Sequence, residues 1–245
     1  MSFFSAISGI LQQQGSAPAA APQAIIGNGS NFLEIADNAI FTATTGWTAA
    51  LWVKTNSNAQ GRNPEGYFSQ SNNSNRAWTF HTVSTIDSRM FCSFSNNGSS
   101  LVTCNPLVGG SFGGQTWKHV VLQYNGATTT LRCKMNNGAW DNGATNPGPT
   151  MFNSATVVRI GAQNSGTDPF RSYTKLAHIV WANAVLSDAD ITTIYNARDA
   201  ASMPAGVDLY YDFSDFNGTT TTAQIGGLTA TVNASSLLFD SDVPV

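Results

Sequence analysis

Charge is what this sequence has least of. Lys, Arg, Asp and Glu together make up 10% of its 245 residues, and the formal net charge is −3. Typical globular proteins carry about 25%. With no basic run or stripe, the chain lacks the electrostatic footprint of a nucleic-acid binder. No apolar stretch reaches the length needed to span a bilayer, so no membrane partner is expected. Glutamate is limited to Glu34 and Glu65, in separate segments. No Glu-x-Asp-x-Glu pattern occurs, so the paired carboxylates that glycoside hydrolysis requires are not signalled. No phosphate-cradling loop is present.

Cysteine and histidine are equally sparse. Cys92, Cys104 and Cys133 contain no Cys-x-x-Cys, so zinc and thioredoxin chemistry have no support. Cys92 and Cys104 flank the turn at Asn96-Asn97-Gly98, where a disulfide across a hairpin is sterically allowed. Buried free thiols are the expectation, and the odd count suits synthesis in a reducing cytoplasm. The three histidines, His81, His119 and His178, fall in or beside strand-like segments, where packing roles are commonest. No catalytic residue, metal site or cofactor is expected.

What is present is a full complement of apolar residues, 42% of the chain, enough for a real core. From Ala24 onward, short β-rich runs alternate with Asn-Gly, Gly-Gly and Pro-Gly punctuation, which signals a β-sandwich or barrel. The stretch QTWKHVVLQYNGATTTLRCKMNNG, 115–138, reads as two strands joined at Asn125-Gly126 and closed by a second turn. Leu131, Cys133 and Met135 alternate with Arg132 and Lys134, predicting one buried and one wet face. Asn137-Gly138 is expected to supply the positive φ angles of the closing turn. One helix interrupts the strands. LSDADITTIYNARDA has Ser187 as N-cap, Asp190 as the reciprocal partner, and Ile191, Ile194 and Tyr195 as a buried stripe.

Residues 1–23 read differently. Phe3, Phe4, Ile7, Ile10 and Leu11 follow helical spacing, and a Pro/Ala linker separates them from a domain spanning 24–245. With no Lys or Arg near Met1, and Ser and Gly breaking the apolar run, a cleaved signal is not expected. A helix this short is marginal alone in water. Its apolar side must either fold back on its own domain or dock on a partner, and the Pro/Ala spacer favours the partner.

The order of these pieces resembles the laminin-G-like branch of the concanavalin A-like lectin/glucanase jelly rolls. The matching segments are GNGSNFLEIADNAIF, WTAALWVKT, the Trp117–Gly138 signature, VRIGA, KLAHIVWANAVLSDADITTIYNA and DLYYDFSDFNG, together covering about 24–233. The resemblance implies an all-β jelly-roll sandwich with one short helix in its C-terminal half. Asn125 stands where the family's turn usually has an acid. Lys175-Leu176-Ala177-His178 replaces a frequent acidic pair, so no calcium site is expected. Relatives of this kind occur on bacteriophage particles. That implies a non-enzymatic virion component, made in the host cytoplasm, which contacts capsid or tail proteins and copies of itself through the arm. The alternative is a carbohydrate-binding module. Its candidate residues are Trp140, Asp141 and Asn142 on one loop; Tyr67, with Glu65 and Asn72, on a second; and Phe170 and Tyr173, with Asp168 and Arg171, on a third.

Overall fold

The computed structural model describes residues 21–42, 45–55, 65–72, 74–82, 90–104, 115–143, 148–170 and 172–244. Among them the chain forms two eight-stranded antiparallel sheets. The first runs β10 (Asp141–Asn142), β9 (Thr130–Met135), β8 (Lys118–Asn125), β3 (Gly46–Lys54), β14 (Lys175–Ala182), β1 (Ala24–Ile26) and β18 (Leu238–Asp240), with β15 (Leu209–Tyr211) also on β14. The second runs β16 (Thr220–Thr222), β17 (Thr229–Val232), β2 (Leu33–Ile35), β11 (Val158–Ile160), β4 (Glu65–Ser71), β5 (Arg76–Thr82), β6 (Met90–Phe94) and β7 (Val102–Cys104). A small ribbon of β12 (Ala162–Gln163) and β13 (Asp168–Pro169) lies beside β4. No helix among the described residues is long and apolar enough to cross a membrane.

The sheets pack face to face because alternate residues of each strand are apolar. Val120, Leu122 and Tyr124 of β8 and Leu131 and Cys133 of β9 point into one core with Phe68, Trp78, Phe80 and Phe94 of the second sheet. Tryptophans fill its centre. Trp47 stacks on Trp181 with centroids 5.0 Å apart, and Trp78 lies 4.7 Å from Trp181. Such ring pairs add about 0.5–1.5 kcal/mol each beyond the area they bury.

The turns explain the Asn-rich, charge-poor composition. The side-chain oxygens of Asn28, Asn72, Asn97, Asn125 and Asn217 each accept backbone N–H groups two and three residues ahead. These are Asx turns, in which a side chain replaces a missing backbone acceptor. Asn125 therefore does the local work of an acid without charge. The second hairpin turn differs from its expected form. Positive φ falls on Asn136 (49°) and Asn137 (55°), one residue earlier than read from Asn-Gly. Gly138 N–H closes the turn on the Met135 carbonyl.

Helix α1 (Asp188–Asn196) begins at Ser187 with a full capping box, Ser187 and Asp190 each accepting from the other's backbone. Ile191 and Ile194 press onto the outer face of the first sheet, against Ala50, Val121 and Val180. Tyr195 sits over Trp52 and His119. Nearby, β14 carries one extra residue between Ala177 and Val180, and His178 takes up the bulge at φ 47°. The bulge aims its Nδ1 at the Tyr210 hydroxyl, 2.6 Å away.

Near the start of the described residues, Gln23 N–H donates to the Asp212 carbonyl. Phe3, Phe4, Ile7, Ile10 and Leu11, expected from sequence to anchor an arm, lie outside the described residues.

Candidate functional site

Beside α1, the outer face of the first sheet opens into a groove of about 290 Å³ lined by Gln123, Asn125, Thr128, Thr130 and Arg132. Its floor follows from strand alternation. Leu122 and Tyr124 point into the core, so Gln123 and Asn125 must point outward; Thr130 and Arg132 do the same on β9. Gln123 is fully buried and every polar atom of its amide is engaged. Nε2 donates to Thr48 Oγ1 (3.0 Å) and the Leu186 carbonyl (2.8 Å). Oε1 accepts from Arg132 Nε (2.8 Å) and Nη2 (2.6 Å). The guanidinium is thus held in one plane on a rigid strand, the preorganisation a binding group needs.

Trp140 completes this clamp. Arg132 lies 4.0 Å and Lys134 4.8 Å from its ring centroid, and its Nε1 donates to Asp188 Oδ1 at 2.8 Å. The indole thus ties the closing hairpin to the first turn of α1. Lys134 is only 3% exposed and donates to Asn137 Oδ1, which corrects the expectation of a wet face at that position. Burial works against its charge and pulls the ammonium pKa down, opposed by Asp188.

The three loops proposed from sequence do not converge. Asp141 and Asn142 pair in register with Cys133 and Arg132, next to the groove. Tyr67 and Phe170 are both fully buried and offer no face to a ligand from solvent. Tyr67, expected on a loop, lies within β4, every residue of which is buried. Glu65 is buried too, accepting from Thr174 Oγ1 and the Tyr67 hydroxyl. Asp168 is tied to Asn164 and Gln163, and Arg171 lies outside the described residues. Tyr173 is exposed by 71%, at φ 71°. It flanks β14, three strand spacings, or about 14 Å, from β9. The groove residues Gln123, Thr128, Thr130 and Arg132 were not singled out from sequence, because polar residues on a strand signal only a wet face.

The two glutamates are also far apart. Arg159 bridges Glu34 on β2 at 3.1 Å and pairs in register with Ser69 on β4, four residues from Glu65. Two strand spacings and four residues along give about 16 Å between them, well beyond the 5–9.5 Å of a glycosidase pair. Among the described residues no group of three or more His, Cys, Asp or Glu has the arrangement of a metal site.

Comparison with known proteins agrees with this architecture. A putative carbohydrate binding protein from Bacteroides ovatus superposes with a TM-score of 0.63 at 17% identity, over 94% of this chain and 63% of its own. This chain therefore spans less than two thirds of that protein's length. The heptameric SAP-like pentraxin from Limulus polyphemus gives 0.56 at 12% identity, over 88% of this chain and 97% of its own. Domain 4 of AbnA, an extracellular arabinanase of Geobacillus stearothermophilus solved with arabinotriose, gives 0.51 at 15% identity, over 70% and 76%. No protein of curated function matches in sequence. The laminin G type family profile, described as concanavalin A-like lectin/glucanases superfamily, matches residues 27–192, more than half of the chain. The chain belongs to the concanavalin A-like lectin/glucanases superfamily.

Proposed function

We propose that this protein is a non-catalytic carbohydrate-binding module and that the groove beside α1 is its binding site. The observation that carries the reading is Arg132, a cation immobilised by Gln123 and Trp140 at the edge of a groove otherwise lined by amides and hydroxyls. Such a set suits a polyol: hydroxyl groups pair with Thr128, Thr130 and the Asn125 amide, while the guanidinium orients a ring oxygen or an acidic substituent. The structural neighbours described as binding carbohydrate support the same reading. Arg132 and Lys134 already lie over the Trp140 ring, which weakens stacking on a sugar. Affinity per site is therefore expected on the order of 1 mM, about −4 kcal/mol.

The virion role and location expected from the arm rest on residues outside those described, so they take second place.

A glycan array probed with wild type and Arg132→Ala tests the proposal. Binding to a defined glycan class, reduced at least tenfold in the variant, is the expected outcome. Silence of the wild type across neutral and acidic glycans refutes it.

A further inference from the structure

All three cysteines of the chain meet at one point. Cys92 on β6 and Cys104 on β7 are directly opposed in register. Cys133 comes from β9 of the other sheet, and side-chain hydrogen bonds join the three thiols pairwise. Their residues are 0%, 2% and 0% exposed, and all three are free thiols. The trio closes the margin of the sandwich, where the edge strand β7 of the second sheet meets β9 of the first. Gly143, just past β10, packs so closely there that a Cβ would come within 2.6 Å of Cys104 Cβ.

We propose that this trio is a two-electron oxidation site at which Cys92 and Cys104 close a disulfide across β6 and β7, with Cys133 remaining as the adjacent free thiol. Geometry selects the pair. Directly opposed residues of antiparallel strands have Cα atoms about 4.5–5.5 Å apart. That lies within the roughly 4.4–6.8 Å Cα span of a disulfide. Cys104 is the attacking group. Burial opposes its ionisation, but Cys133 and Cys92 both donate to its sulfur and bring its pKa down, while burial and the same contacts push Cys92 up. The oxidant is a low-molecular-weight disulfide. Cys104 thiolate attacks one of its sulfurs, forms a mixed disulfide and expels one thiolate, which takes up the proton Cys104 lost. Cys92 then attacks Cys104 Sγ as its proton leaves, the protein disulfide forms, and the second thiolate departs and is protonated. Two protein thiols are oxidised and one reagent disulfide is reduced to two thiols. Access requires only local opening of β7, a three-residue edge strand.

The test is a thiol count on the full native chain incubated with excess oxidised glutathione, then denatured and titrated without reductant. The count is expected to fall from three to one per chain, with a non-reduced peptide map joining the Cys92 and Cys104 segments. Cys133→Ser is expected to end with none. Three remaining thiols, a glutathione adduct without an internal bond, or a link from Cys104 to Cys133 each overturn the proposal, and the wild-type map reads these outcomes even if the variant folds poorly.

Discussion

Single residues set both the electrostatics and the weak points of this sandwich. His119 lies under Trp52 and Tyr195, fully buried, and neither ring nitrogen has a hydrogen-bond partner among the described residues. Burial first, and then the charges of Lys134 and Arg198 and the neighbouring His178, lower its pKa to about 3. Burial lowers His178 to about 4. The folded state therefore holds both imidazoles neutral, whereas the unfolded chain protonates them near 6.5. Their stabilising effect is complete above pH 6.5, falls as the pH drops toward 4, and levels off below the folded values. Denaturant titrations at pH 7.5 and 5 are expected to show a loss of about 2 kcal/mol attributable to His119. His119→Leu should flatten that part of the profile; an unchanged pH dependence in the variant would show that the charge on this ring is not what the fold excludes.

At the level of elements, most of the architecture was legible before any coordinates, because it rests on local rules. Period-two alternation marked β9, the β-rich run before Asn125-Gly126 marked β8, and the capping box marked the start of α1. Ser187→Ala removes an acceptor for the Asp190 N–H and is expected to cost about 1 kcal/mol, with Ser187→Asp recovering most of it in thermal melts. A loss below the error of the melt would mean that packing of Ile191 and Ile194 alone holds the helix. The candidate site was less legible, for a physical reason. Strand periodicity says which residues share a face but not what covers that face. Tyr67 and Phe170 looked like loop aromatics and are fully interior. Trp140, expected from sequence as a sugar platform, also joins the hairpin to α1 through Asp188, a contact no strand pattern signals. The second turn slipped by one residue because Asn enters the left-handed region more readily than other residues with a side chain, and Asn136-Asn137 took the positions expected of Asn137-Gly138.

For the molecule as a whole, scarce charge and plentiful Asn are two sides of one design. Turns are held by neutral amide oxygens, and a fixed guanidinium stands in an otherwise uncharged groove. The C-terminal segment supplies a separate anchoring point. Lys54 and Lys175 both reach Asp242, and Trp117 donates to it. Burial alone would raise the Asp242 pKa, but these donors hold the carboxyl far below its usual range. They pin the chain end across β3 and β14, on the same sheet that carries the groove but away from it. Binding at the groove therefore requires no rearrangement of the body, and its footprint should be local. The most direct test is to follow backbone and Arg side-chain amide resonances while titrating the glycan class picked out by the array. The account predicts shifts concentrated at Gln123, Asn125, Thr128, Thr130 and Arg132 Nε–H, with Tyr173 still. Shifts centred on Tyr173, or none anywhere at millimolar glycan, would contradict it.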